Sequence, residues 1–292
     1  MSESLENNES TPERKKSAEI SEFTAQDFIE YRRHSAAALN NLTEAYYQGE
    51  LKAMAIQEQL MVDDEQIGLI MFVLDSFRKP RDESKTFRND GSHIAVHSIQ
   101  LFETARNKFG INYPEVLNTL LLHDIEEDTQ LTNNDIRKKF GDRTAELASI
   151  MTEQVSESES SSDLNKSDQR KVSIIHFIKQ LKTGGEAIAI AETFDRMDDV
   201  SDLKYITDKV DGSQEQKDKA ENKLAEKFAK CLYTIDQVTD SANTSEVNRL
   251  REFFNQVIQE QRKTMFSQYG LEITDDAIGQ EYERYKELEK HN

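Results

Sequence analysis

The segment Leu120-Leu121-Leu122-His123-Asp124-Ile125-Glu126-Glu127-Asp128 places an imidazole and a run of carboxylates directly behind an apolar stretch. Packing has no use for such a set. Carboxylates at the carboxyl end of a helix oppose its macrodipole and repel one another unless a cation neutralises them. Imidazole nitrogen combined with carboxylate oxygen suits Mn²⁺, Fe²⁺ or Mg²⁺ in octahedral coordination better than a thiolate-rich zinc site. Taken alone, the segment can also be read as a solvated acidic helix end.

Two further segments favour the metal. His97 lies upstream on a helix with an apolar side, from which its imidazole could face the His123-Asp124 pair. Downstream, Ala187-Ile188-Ala189-Ile190-Ala191 runs into Phe194-Asp195-Arg196-Met197, so Asp195 emerges from a buried element. A carboxylate left unpaired there would cost several kcal/mol. The competing explanation for Asp195 is an ion pair with Arg196 or another Arg at the core edge. The remaining histidines invite plainer roles. His34 and His176 sit on ordinary helical stretches and His291 in the last residues. His93 and His97 share H-x-x-x-H spacing, but Ile94 stands where a zinc protease needs Glu, which excludes that chemistry.

These residues need helices to hold them. The sequence has 10 Gly, 3 Pro and no Trp, too little punctuation for a barrel or sandwich. Residues 1–22 are polar and charged, and read as a disordered tail. A first helix starts near Thr24, with Phe28, Tyr31, Ser35, Ala38, Leu42 and Ala45 on its buried face, and closes at Gly49. Further helices are expected at 51–62, 67–77, 93–109, from Pro114, 133–140, 143–154 and 168–182. Continuation into residues 192–203 without a break makes the Ala-Ile alternation helical, although by itself it could be a buried strand. Three long charged helices follow at 214–238, 245–269 and 275–291. Between them lie a basic loop at 78–91 and a low-complexity acidic loop at 155–167.

Charge and cysteine content narrow the setting. With 37 Lys+Arg against 56 Asp+Glu, the net charge of −19 repels the phosphate backbone and anionic membranes, so neither nucleic acid nor membrane is an expected partner. The single cysteine, Cys231, excludes an internal disulfide and a cysteine zinc cluster. Its apolar helical surroundings mark it as a core thiol. No signal peptide or membrane span is evident, and a cytoplasmic location is the expectation.

The order His97, His123-Asp124, Asp195 resembles the H…HD…D signature of the HD-domain metal-dependent phosphohydrolases. The likeness is greatest to the alarmone (guanosine tetraphosphate) hydrolase domain of RelA/SpoT-type and small alarmone hydrolase enzymes. Three blocks carry it: RNDGSHIAVH at 88–97, LLLHDIEEDTQLTNNDIRKKFG at 120–141, and DRMDDVSDL at 195–203. The middle block is the specific one, and together the blocks span under half the chain. The resemblance implies an all-α HD-domain helical bundle with additional N- and C-terminal helices. It implies Mn²⁺ held by His97, His123, Asp124 and Asp195, with Glu127 and Asp128 positioning or deprotonating the attacking water. It also places Arg88 and Asp199 at the nucleotide, a small-molecule substrate losing its 3′-pyrophosphate. A metal lowers the pKa of a bound water and a nearby carboxylate takes its proton, while the basic loop would offset phosphate charge.

The chain departs from that family's pattern at Asn89, Ser98, Asp198-Asp199 and Ser201. None is a presumed metal ligand, so the departures bear on the substrate. Two alternatives follow: an HD hydrolase of another nucleotide phosphoester, or an inactive helical nucleotide-sensing or interaction module. The expected organisation is a tail at 1–22, N-terminal helices at 23–80, an HD core at 81–210 and a helical extension at 211–292. Self-association is left open.

Overall fold

The computed structural model describes residues 23–88, 90–152 and 165–291. The expected tail at 1–22, the departure at Asn89 and most of the acidic loop at 155–167 therefore lie outside the described residues. Among the described residues the chain is helical, with one antiparallel bridge between Phe87 and His93 and no strand.

The elements are α1 (Ala25–Tyr47), α2 (Ala53–Leu60), α3 (Asp64–Phe77), α4 (Ile94–Phe109), α5 (Pro114–Leu122), α6 (Ile125–Asp128) and α7 (Asn133–Phe140). Then come α8 (Asp142–Met151), α9 (Lys166–Leu181), α10 (Gly185–Ser201), α11 (Lys204–Thr207), α12 (Gln214–Ala242), α13 (Ser245–Tyr269) and α14 (Asp275–His291). Their ends follow local chemistry. Thr24 and Thr132 close capping boxes with Asp27 and Asp135, each satisfying helix donors that would otherwise lack partners. Pro114 opens α5 at its first turn. The Ala-Ile alternation is helical, and Ile188, Ala189, Ile190 and Ala191 are all buried.

Helix α10 is the axis of the fold. It packs against α4, α5 and α8 on the side that bears the site, and against α12 and α13 on the other. α1 packs on α4 and α13, and α14 on α9 and α12. A single apolar core runs from Ala25 to Leu288. Rings from separate helices meet edge to face within it, such as Phe109 on Phe194 and Phe109 on Phe253, with centroids 5.1 and 5.0 Å apart.

Two expectations are corrected. The buried face of α1 is Phe28, Ile29, Arg32, Ala36, Leu39 and Leu42, whereas Ala38 is exposed. A buried arginine sets that face, and periodicity of apolar residues passes over it. Second, the acidic residues do not prolong the apolar helix. α5 stops at Leu122, and Glu126, Glu127 and Asp128 form the separate single turn α6, because Ile125 must turn inward and is fully buried. The macrodipole of α5 therefore ends at His123, before these carboxylates.

Candidate metal centre

Three elements deliver the site. His97 sits in the first turn of α4, a helix buried on nearly every side from Ile94 to Phe102. His123 caps the end of α5, and Asp195 lies on α10, which packs against both. One ligand atom from each of His97, His123 and Asp195 lies within 4.8 Å of the others. Asp124 adds a carboxylate beside them, Oδ1 3.1 Å from His123 Nε2 and Oδ2 3.7 Å from His97 Nε2. Asp195 Oδ1 is 3.0 Å from His97 Nε2 and 3.8 Å from His123 Nε2.

The orientation of His123 tests whether these residues suit a cation. Its Nδ1 is 3.1 Å from the Leu120 carbonyl oxygen, which can only accept, so Nδ1 carries a proton. In the neutral ring Nε2 is then a bare lone pair. This buried atom has no hydrogen-bond partner and faces carboxylate oxygens. Acceptors facing acceptors in a dry site require a positive species between them. Burial disfavours charge on His123, but Asp124 and Asp195 outweigh it and hold its pKa up at about 9. Without a metal, a proton takes that place. Burial likewise disfavours the charged Asp195, yet Arg196 and the two imidazoles keep it well below the usual carboxylate range. Two imidazoles and two carboxylates, with no thiolate, form a donor set suited to a divalent ion such as Mn²⁺.

Arg196 governs Asp195 from behind. Its Nη2 donates to Asp195 Oδ2 at 2.7 Å, its Nε to Glu192 at 2.6 Å and its Nη1 to Asp199 at 2.6 Å. The ion pair considered as the competing explanation for Asp195 thus exists, but it occupies one oxygen and leaves the other facing the histidines. Asp199 is further held by Lys227 of α12 at 3.3 Å. Sequence reading missed this contribution from the late helices, since nothing local links Lys227 to Asp199.

The other predicted residues lie around this cluster. Glu127 is exposed and Asp128 half-buried on α6, and neither belongs to the tight group of ligand atoms. Arg81 fastens this turn: its Nη2 donates to the Glu126 carbonyl at 2.9 Å, its Nε to the Thr129 carbonyl at 3.0 Å, and its backbone N–H to the Asp128 carbonyl at 2.7 Å. Arg88 follows Phe87 into a turn that Gly91 closes at φ +87, a conformation glycine adopts without strain. Arg88 points inward, with Nη1 2.7 Å from His97 Nδ1 and Nη2 2.8 Å from Asp198 Oδ2. Arg78 lies over the rings of Tyr46 and Tyr47. Much of the basic loop is thus engaged with the protein itself.

Outside the site, burial pushes the Cys231 thiol up to about 11, in keeping with a packed core residue. Among the described residues, no helix is long and apolar enough to cross a membrane.

No protein-family model matches the chain. A curated relative from Mycoplasma pneumoniae (strain ATCC 29342 / M129 / Subtype 1), named probable guanosine-3′,5′-bis(diphosphate) 3′-pyrophosphohydrolase, is 30% identical over 147 residues. The match takes in 49% of this chain and 19% of the relative, so the chain spans about a fifth of that protein's length. A solved structure described as a metazoan ortholog of SpoT that hydrolyzes ppGpp superposes with a TM-score of 0.46 and 17% identity, covering 68% of this chain and 97% of that one. The curated relative carries the same activity name as the family that the three sequence blocks resemble.

Proposed function

We propose that this chain is a divalent-metal-dependent phosphohydrolase that removes the 3′-pyrophosphate of guanosine tetraphosphate or pentaphosphate. The observation that carries the reading is the buried, partnerless Nε2 of His123, aimed at Asp124 beside His97 and Asp195. The resemblance of the sequence blocks and the name of the curated relative supply the substrate.

His97, His123, Asp124 and Asp195 would hold the ion, for which Mn²⁺ is the first choice on the donor set. Bound there, a divalent ion supplies Lewis acidity and a more acidic water. Asp195 enters this work with one oxygen already committed to Arg196, so it offers the other from a fixed direction. Glu127 and Asp128, on the turn fastened by Arg81, are assigned to accept the proton of the attacking water. Arg88 and Asp199 are assigned to the nucleotide side. A phosphate would have to share Arg88 with Asp198, and Asp199 meets the substrate with its charge offset by Arg196 and Lys227.

That sharing favours a second reading, hydrolysis of a different nucleotide phosphoester, because Arg88 is less free than a dedicated phosphate ligand. Metal content of the purified protein, with product analysis on guanosine tetraphosphate and a panel of nucleotides in Mn²⁺, decides among them. The expected result is pyrophosphate release from guanosine tetraphosphate, with metal and turnover both lost in His123→Ala and Asp124→Ala. Turnover of another nucleotide alone would select the second reading. A protein with neither metal nor turnover would leave a sensing or interaction module.

A further inference from the structure

Asp198 lies three residues beyond Asp195, on the same face of α10. Its side chain is 2% exposed and is surrounded by three partners. Arg32, from the far end of the chain, binds it through Nε at Oδ1 and through Nη2 at Oδ2, 3.4 Å away. Arg88 Nη2 donates to Oδ2 at 2.8 Å. The third partner is His97 Nδ1, 3.0 Å from Oδ2.

His97 is thereby bracketed. Its Nε2 faces Asp195 Oδ1 at 3.0 Å, while its Nδ1 faces both a carboxylate that only accepts and an Arg88 Nη1 that only donates, at 2.7 Å. A neutral imidazole has two forms, and each satisfies only one of these two partners at Nδ1. With the proton on Nδ1, it donates to Asp198 and turns a lone pair on Nε2 toward His123 and Asp195. With the proton on Nε2, it donates to Asp195 and accepts from Arg88. Only the first form offers a ligand atom to the centre.

We propose that Asp198, held by Arg32, is the positioning residue that fixes His97 in the Nδ1–H form and so makes its Nε2 a metal ligand. The assignment rests on the metal reading above. A partner of this kind on the outer nitrogen of a ligating imidazole orients the ring and raises its basicity. Arg32 is itself held at the right place: Gln100 of α4 donates to its carbonyl at 2.5 Å and to Ser35 Oγ at 2.6 Å, tying α1 to the helix that carries His97. A purely structural account would have Asp198 serve only to neutralise Arg32 and Arg88.

The test uses the full chain and Zn²⁺ or Mn²⁺ as the probe. By calorimetry, Asp198→Asn is expected to weaken metal binding about 10- to 100-fold per folded molecule. If wild-type protein binds metal and Asp198→Asn binds it equally well, at whatever cost in melting temperature, the positioning role is overturned and the metal reading stands. If wild-type protein binds no metal, both fall. Because the variant strips the buried Arg32 and the half-buried Arg88 of a shared partner, a second measurement uses unaltered protein. Long-range ¹H–¹⁵N spectra of the Zn²⁺-loaded chain should show His97 protonated on Nδ1 and metallated on Nε2. A proton on Nε2, or metal on Nδ1, would refute the assignment.

Discussion

Arg196 grips one oxygen of Asp195 at 2.7 Å while the other oxygen stands 3.0 Å from His97 Nε2. The same guanidinium also pairs with Glu192 and with Asp199, which it shares with Lys227, so one buried base serves three acids. Burial raises the pKa of Glu192, and Arg196 is the largest influence opposing that rise.

Replacing Arg196 with Leu should therefore destabilise the protein by about 3–5 kcal/mol, the usual result of stripping one partner from a buried ion pair. Thermal unfolding would show a fall in Tm on the order of 10 °C. Arg196→Lys should recover part of it. An unchanged Tm in the Leu variant would mean that the acids are neutralised by other means.

The raised pKa of His123 has a consequence for stability. In the unfolded chain the imidazole titrates near the ordinary value of 6.5, and in the folded, metal-free protein near 9. Its contribution is thus complete below pH 6.5 and is lost as pH climbs through about 9. The loss amounts to roughly 3 kcal/mol at most. Denaturant titrations of chelator-treated protein at pH 6 and 9.5, compared with His123→Gln, should show the wild type losing its advantage over that range. A difference that does not change with pH would contradict it.

Metal uptake must displace the same proton. Affinity for a divalent ion should consequently rise with pH, by up to tenfold per unit, and level off near pH 9. Calorimetry in buffers of different ionisation enthalpy would count the released proton. Uptake without proton release would place the ion elsewhere.

Glu127 and Asp128 can be separated from the ligands by substitution. Glu127→Gln and Asp128→Asn should keep the wild-type metal content, and the variant that has lost the proton acceptor should lose about 10²- to 10⁴-fold in kcat. Loss of metal in either variant would move that residue into the coordination sphere.

Gly184 offers a test of packing alone. Its φ is ordinary, yet a Cβ there would stand 2.0 Å from Cγ1 of the buried Ile188. Gly184→Ala should cost about 1–3 kcal/mol, measured by denaturant unfolding, and that cost should shrink in an Ile188→Ala background, which removes the clashing Cγ1.

The parts of the site that can be read from sequence are those marked by contrast. His123-Asp124 interrupts an apolar run, and Asp195 comes four residues beyond the apolar stretch 187–191 in the same helical pattern, so each site announces itself against the apolar segment that leads to it. Helical boundaries were legible where capping residues stand, as at Thr132 and Pro114. What could not be read is the pairing of Arg32 with Asp198 across 166 residues. Arg32 counts as polar in any apolar periodicity, so the face of α1 that it occupies was misplaced by the pattern. The same limit hid Lys227. Nor does the sequence show that Ile125 turns inward and splits α6 from α5. Long-range partners are chosen by the packed fold, and no local pattern records them.

The packing of α10 has a dynamic consequence. Asp195 and its neighbours lie on a helix covered on one side by α4, α5 and α8 and on the other by α12 and α13. No local opening can bare its backbone without parting the whole assembly. The amide hydrogens of α10 around Asp195 should therefore be among the slowest in the protein to exchange with solvent, released only when the entire molecule unfolds.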